Sequence, residues 1–169
     1  MDYTRIHQHV RAYLSVDQIQ DAVHFILRTF RLDHRNLESV EIRPSSSSST
    51  VLLTAEGPLK GRQKVYVPSN LFQFNFNLVL NLLAHELLHV RQRDPEFFVE
   101  DKNEREFQAY YEMLFHKVFP QIPDAPDFNR KQFAQKALLY YSRMEAQGPL
   151  QTKYAPQRIE VQTLLEALE

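Results

Sequence analysis

The chain has 169 residues with 20 basic and 21 acidic side chains, 7 histidines and no cysteine. That length fits one domain, expected to span residues 1–169, and the balanced charge leaves no field to draw it to nucleic acid or an anionic membrane. The lack of cysteine excludes disulfides, a thiol nucleophile and a thiolate metal site, so any metal must be held by His, Asp or Glu.

The opening MDYTRIHQHVRAYL shows no basic segment followed by an apolar run, so no secretory signal is expected in it. With no apolar stretch of about 18 residues either, the expected compartment is the cytoplasm. Ser15 with Gln18 three residues on forms a capping-box signature before DAVHFILRTF, where Ile19, Ala22, Val23, Ile26, Leu27 and Phe30 recur at helical spacing. That helix is expected to stop near Leu32. Leu37 to Arg43 alternates like a strand. Pro44 and the run Ser45–Ser49 read as a solvated loop. Thr50 to Ala55 and Lys64 to Val67 are two more short strands, separated by a turn containing Gly57, Pro58 and Gly61.

From about Leu71 to Arg93 the period becomes helical, with leucine and valine on most sides, which marks a helix buried in mid-domain. Pro95 ends it. Further helices are expected from about Asp101 to Phe119, from Asn129 to Gln147 and from Pro156 to Leu168. The fold class that follows is α+β, with a small three-to-four-stranded sheet against a central helix and more helices C-terminal to it.

The chemistry is concentrated in His85-Glu86-Leu87-Leu88-His89, an HExxH motif inside the buried helix. Residues four apart lie one above the other on a helix, so both imidazoles can reach one tetrahedral zinc. Glu86, one residue past the first histidine, projects beside the ion, where it can take a proton from zinc-activated water and return it to a leaving amine. By composition alone the motif would arise by chance in about 2% of such chains, so coincidence is a poor account of it.

Catalytic zinc normally takes three protein ligands. A third histidine of the metzincin pattern would require glycine at position 92 and histidine at 95, and the chain has Gln92 and Pro95. The segment NEREFQAYYE offers Glu104 and Glu106. Glu106 lies four residues before Tyr110, on the edge of the helix's apolar face, and is preferred; Glu104 reads as more solvent-facing. Asn81 and Gln92 are placed to orient the ligand imidazoles. Tyr110, Tyr111 and His116 are candidates to stabilise an oxyanion.

HELLHVRQ followed by EREFQAYYE resembles the gluzincin clan of zinc metallopeptidases, especially the small minimal gluzincins and domains whose second motif reads ExEAxxxA. The aspartate that thermolysin-like enzymes place four residues after their glutamate ligand is Tyr110 here. The resemblance implies a zincin fold: a mixed sheet above the active-site helix, with an edge strand that binds extended peptide and for which Lys64–Val67 is the candidate. It also implies a zinc-dependent peptidase acting on polypeptides, with His85, His89 and Glu106 on the metal and Glu86 as base. The alternative expectation is a zinc-retaining regulatory or binding module with narrow or no proteolysis.

Overall fold

The computed structural model describes residues 2–45 and 47–168; Ser46, within the serine run expected to be a loop, lies outside them. Helix α1 (Tyr3–Ser15) is capped by Asp2, whose side chain accepts from the Arg5 N–H at 3.2 Å, and it buries Ile6 and Val10. Ser15 therefore does not start the next helix. Its hydroxyl donates back to the Ala12 carbonyl at 2.8 Å, in the last turn of α1. Asp17 then takes a left-handed turn (φ 58) into α2 (Ile19–Thr29). The capping-box expectation fails because the hydroxyl has a nearer acceptor in the turn before it.

Three strands follow: β1 (Leu37–Arg43), β2 (Thr54–Glu56) and β3 (Gln63–Pro68). They form a mixed sheet in the order β1-β3-β2, with β3 parallel to β1 and antiparallel to β2. This corrects the expected edge. β3 is the central strand, with Gln63, Val65 and Val67 essentially buried, whereas β2 is an edge and is shorter than expected.

A 3-10 turn over Leu71–Gln73 precedes α3 (Phe76–Gln92). The helix starts five residues later than periodicity suggests, because Asn75 caps it by accepting from the Leu78 N–H at 3.1 Å. Asp101 caps α4 (Lys102–Phe115) in the same way, accepting from Glu104 N–H at 2.9 Å. This helix stops short of Phe119 at a left-handed His116 (φ 46), where the Glu112 carboxylate accepts from the Val118 and Phe119 N–H groups. α5 runs over Asp127–Ser142 and α6 over Pro149–Ala167. Pro149, not Pro156, opens α6. A first-turn proline loses no hydrogen bond, and interior Pro156 forgoes one within a helix that buries Tyr154 and Val161 two turns apart.

The fold class is thus α+β, with six α-helices and one three-stranded mixed sheet among the described residues. No described helix is long and apolar enough to cross a membrane. Two apolar clusters share α3. Val79, Leu80, Leu83 and Leu87 join α1, α2 and the sheet in the first, while Leu78 faces the second, built from α4, α5 and α6, and Leu82 touches both. A helix with core on two sides has no free face for solvent, which is why it reads as apolar nearly all round.

Candidate metal centre

The HExxH segment occupies the C-terminal half of α3. The rings of His85 and His89 stand edge to face with centroids 4.7 Å apart, and their Nε2 atoms converge to 3.1 Å. α4 packs across α3 and brings one carboxylate oxygen of Glu106 to 3.7 Å from His85 Nε2 and 3.6 Å from His89 Nε2. These three form the one group of metal-ligating side chains found among the described residues.

The spacing can be tested against an ion. Ligands at 2.0–2.1 Å from a tetrahedral zinc lie about 3.3–3.4 Å from one another. The three observed separations of 3.1, 3.6 and 3.7 Å bracket that value. The two carboxylate contacts exceed a direct hydrogen bond, which leaves room between the groups. Two nitrogens and one oxygen are a donor set that suits zinc. The residues present fit the ion.

Packing turns the two glutamates in opposite directions. Glu106 faces the imidazoles; Glu104 points the other way, accepting from Tyr154 at 2.6 Å and Lys153 at 2.8 Å. Contrary to expectation Glu104 is buried, 8% exposed, because α6 covers that side of α4. α4 has core on two faces and not on a single inner one.

Electrostatics follow from burial. Desolvation pushes the His85 pKa down to about 3, assisted by repulsion from His89, so its imidazole is neutral and free to ligate. Burial opposes a charged His89 as well, but the Glu106 and Glu86 carboxylates, with Gln92, outweigh it and raise that pKa. Burial likewise opposes the Glu106 charge, and the two histidines reverse it, so the carboxyl titrates below its ordinary range. Glu86 is the strained member. Desolvation pushes it up to about 7, with His89 and the Ala55 N–H of β2 acting against the rise. Tyr110 is raised to about 12, chiefly by burial, and stays protonated.

The remaining candidates divide. Gln92 lies against the site, where its side-chain oxygen accepts from His89 Nδ1–H at 2.8 Å. Tyr110 stands edge-on to His85, ring centroids 4.7 Å apart. Asn81 does not reach the ligand histidines. Its amide donates to the Asn77 and Pro123 carbonyls and pairs with His116 at 3.0 Å, so both Asn81 and His116 tie the loop after α4 to α3. Tyr111 also turns away, donating to Glu160 of α6. A residue unforeseen from sequence is Met113, whose sulfur sits 3.2 Å from His85 Nδ1. Its position three after Tyr110 and seven after Glu106 was the available signal.

Clefts open on both sides of the trio. One, of about 540 Å³, is bordered by His85, Glu86 and Tyr110, with Leu53, Met113 and Phe133 as apolar wall and Lys136 at its margin. Another, of about 290 Å³, meets His89 and Glu106 and is lined by Ala55, Arg93, Lys102 and Arg105. The β2 edge and the segment before it, residues 51–55, therefore run past both. Comparison with models of known protein families, with curated proteins and with solved structures gives no match.

Proposed function

We propose that the chain is a zinc-dependent peptidase of zincin-like architecture, hydrolysing peptide bonds in polypeptide substrates. The observation that carries this reading is the convergence of His85 Nε2, His89 Nε2 and a Glu106 oxygen on one point, with the buried Glu86 carboxyl beside them. His85, His89 and Glu106 would hold the ion, leaving its fourth position to solvent or substrate. Zinc so held supplies Lewis-acid polarisation of a carbonyl and brings the acidity of water into the neutral range.

The chain's own residues do the rest. Glu86 accepts a proton from the attacking water as the oxygen adds to the carbonyl carbon. The same carboxyl then delivers that proton to the amine nitrogen as the C–N bond breaks. Its burial suits both tasks, because a carboxyl shielded from bulk water keeps the proton between the reacting atoms instead of losing it to solvent. Tyr110, kept protonated beside His85, is a donor for charge that develops on the carbonyl oxygen. The β2 edge past both clefts provides backbone groups for an extended peptide, with the larger cleft taking an apolar side chain.

Metal analysis of protein purified without chelator should find about one zinc per chain, and none in His89→Ala. Glu86→Gln should retain the zinc and lose turnover of unfolded polypeptide by at least 10²-fold. Normal turnover in Glu86→Gln refutes its role as base, and absence of zinc in the wild type refutes the metal site. A narrower reading, a zinc-holding module with little proteolysis, draws on Met113. A thioether is a weak acceptor for His85 Nδ1–H, where ligand histidines usually face a carboxylate or carbonyl.

A further inference from the structure

Four hydrogen bonds run without a break from the candidate ligand His89 to Tyr154 on the last helix and back to Glu104 on α4. His89 Nδ1–H donates to Gln92 Oε1 at 2.8 Å, and Gln92 Nε2 donates to Gln108 Oε1 at 2.8 Å. Gln108 Nε2 donates to the Tyr154 hydroxyl at 2.5 Å, and that hydroxyl donates to Glu104 at 2.6 Å. The Lys153 ammonium donates to the same Glu104 oxygen at 2.8 Å. The path crosses three helices, with Gln92 on α3, Glu104 and Gln108 on α4, and Lys153 and Tyr154 on α6.

The direction of every bond in this path follows from its far end. A carboxylate can only accept and an ammonium can only donate. Tyr154 must therefore spend its single proton on Glu104, and its oxygen is left to accept. Gln108 must meet that oxygen with its NH2, which turns its carbonyl to Gln92. Gln92 in turn must present NH2 to Gln108 and carbonyl oxygen to His89. A carbonyl oxygen at His89 Nδ1 requires the proton to be there, so that in the neutral imidazole the Nε2 lone pair faces the point shared with His85 and Glu106. The Arg105 carbonyl, accepting the second Gln92 N–H at 3.1 Å, enforces the same orientation of that amide.

We infer that Glu104, Tyr154, Gln108 and Gln92 form a polarity relay that holds His89 in the Nδ1–H tautomer, so that docking of the C-terminal helix prepares the metal site. Tyr154 and Glu104 are positioning residues acting through Gln108 and Gln92. This rests on the zinc reading above for its purpose; the tautomer itself is a property of the metal-free protein.

The test compares two hydroxyl deletions of full-length protein. Tyr154→Phe removes the hydroxyl from the relay and keeps the ring that packs on Phe107 at 5.2 Å. Tyr111→Phe removes the other tyrosine hydroxyl that bridges α4 to α6, through Glu160, and lies off the relay. Zinc affinity is read by competition with a chromophoric chelator. Tyr154→Phe should weaken it about three- to tenfold, below the 10–100-fold of a direct outer partner because the Arg105 carbonyl still anchors Gln92. Tyr111→Phe should leave it unchanged.

In a Gln92→Glu background an acceptor-only carboxylate faces His89 directly, so adding Tyr154→Phe should then cost nothing. Equal effects of the two deletions, or a Tyr154→Phe loss that persists beside Gln92→Glu, would mean helix docking alone is at work and overturn the relay. Nitrogen-15 spectra of chelator-stripped protein, taken where imidazole is neutral, should show His89 protonated at Nδ1 in the wild type, with the Nε2–H form gaining in Tyr154→Phe. A wild-type His89 carrying its proton on Nε2 sinks the inference whether or not zinc binds. Failure to bind zinc with the Nδ1–H form present instead counts against the metal reading and leaves the relay standing.

Discussion

Replacing Glu86 by Gln keeps the side chain's shape and removes its ability to ionise. In the metal-free protein this carboxyl is only 9% exposed, and desolvation raises its pKa from 4.5 to about 7. The folded state therefore keeps a proton that the unfolded chain releases. The stability this contributes is complete below about pH 4.5 and is lost as pH rises through about 7. A separation of about 2.5 pH units corresponds to roughly 3 kcal/mol at 1.36 kcal/mol per unit. Glutamine has no charge to desolvate and escapes that loss. Chelator-treated Glu86→Gln should thus match the wild type near pH 4.5 and exceed it by up to about 3 kcal/mol near pH 8.5. For a chain of this size that is about 6–12 °C in Tm. Thermal or urea denaturation of both proteins over the pH series measures the difference, in which the titrations of groups that do not interact with Glu86 cancel. A difference independent of pH, or a variant less stable in alkali, would refute the claim that an ionised Glu86 burdens the fold. The variant expected to be inactive is also expected to be the more stable metal-free protein, as when function retains a group the core would reject.

Two further perturbations probe the frame around the site. Phe107 is 1% exposed and packs among Tyr111, Tyr141 and Tyr154, so Phe107→Ala should cost about 3–5 kcal/mol and lower Tm by about 6–20 °C; an unchanged melting curve would deny the α4–α5–α6 core. Arg35 binds Asp94, at the end of α3, through two guanidinium bonds of 2.7 and 3.0 Å and holds its carboxyl well below the usual range. A depressed carboxyl stabilises the fold above the ordinary carboxylate pKa and ceases to as pH falls through the native one. Arg35→Ala should therefore be less stable at neutral pH, with the gap to wild type closing in acid; urea midpoints that diverge in acid would contradict it.

Much of the candidate site was legible in the sequence, and what was legible is local. The pentapeptide alone places two imidazoles on one helical face, because four residues make one turn whatever surrounds them. Strand β1 has the bounds its alternation suggests. Glu106 could be preferred over Glu104 from its place at the edge of the apolar face of α4, whereas Glu104 is buried under α6 and not solvent-facing. Tyr111 and Asn81 sit at plausible spacings, yet the spacing shared with a ligand does not say which neighbour the other side of the helix meets.

Sequence by itself determined the composition limits, the helical and strand periods, and the HExxH face, all of which depend on backbone geometry within a few residues. Tertiary structure decided that β2 and not β3 is the edge, that α4 has core on two faces, and that Met113, Gln108 and Tyr154 connect to the histidines. The partners in the relay are as far apart as Glu104 and Tyr154, 50 positions along the chain. Which of many polar side chains meet across such a gap is set by how whole helices bury their apolar surface together, and no local period records that.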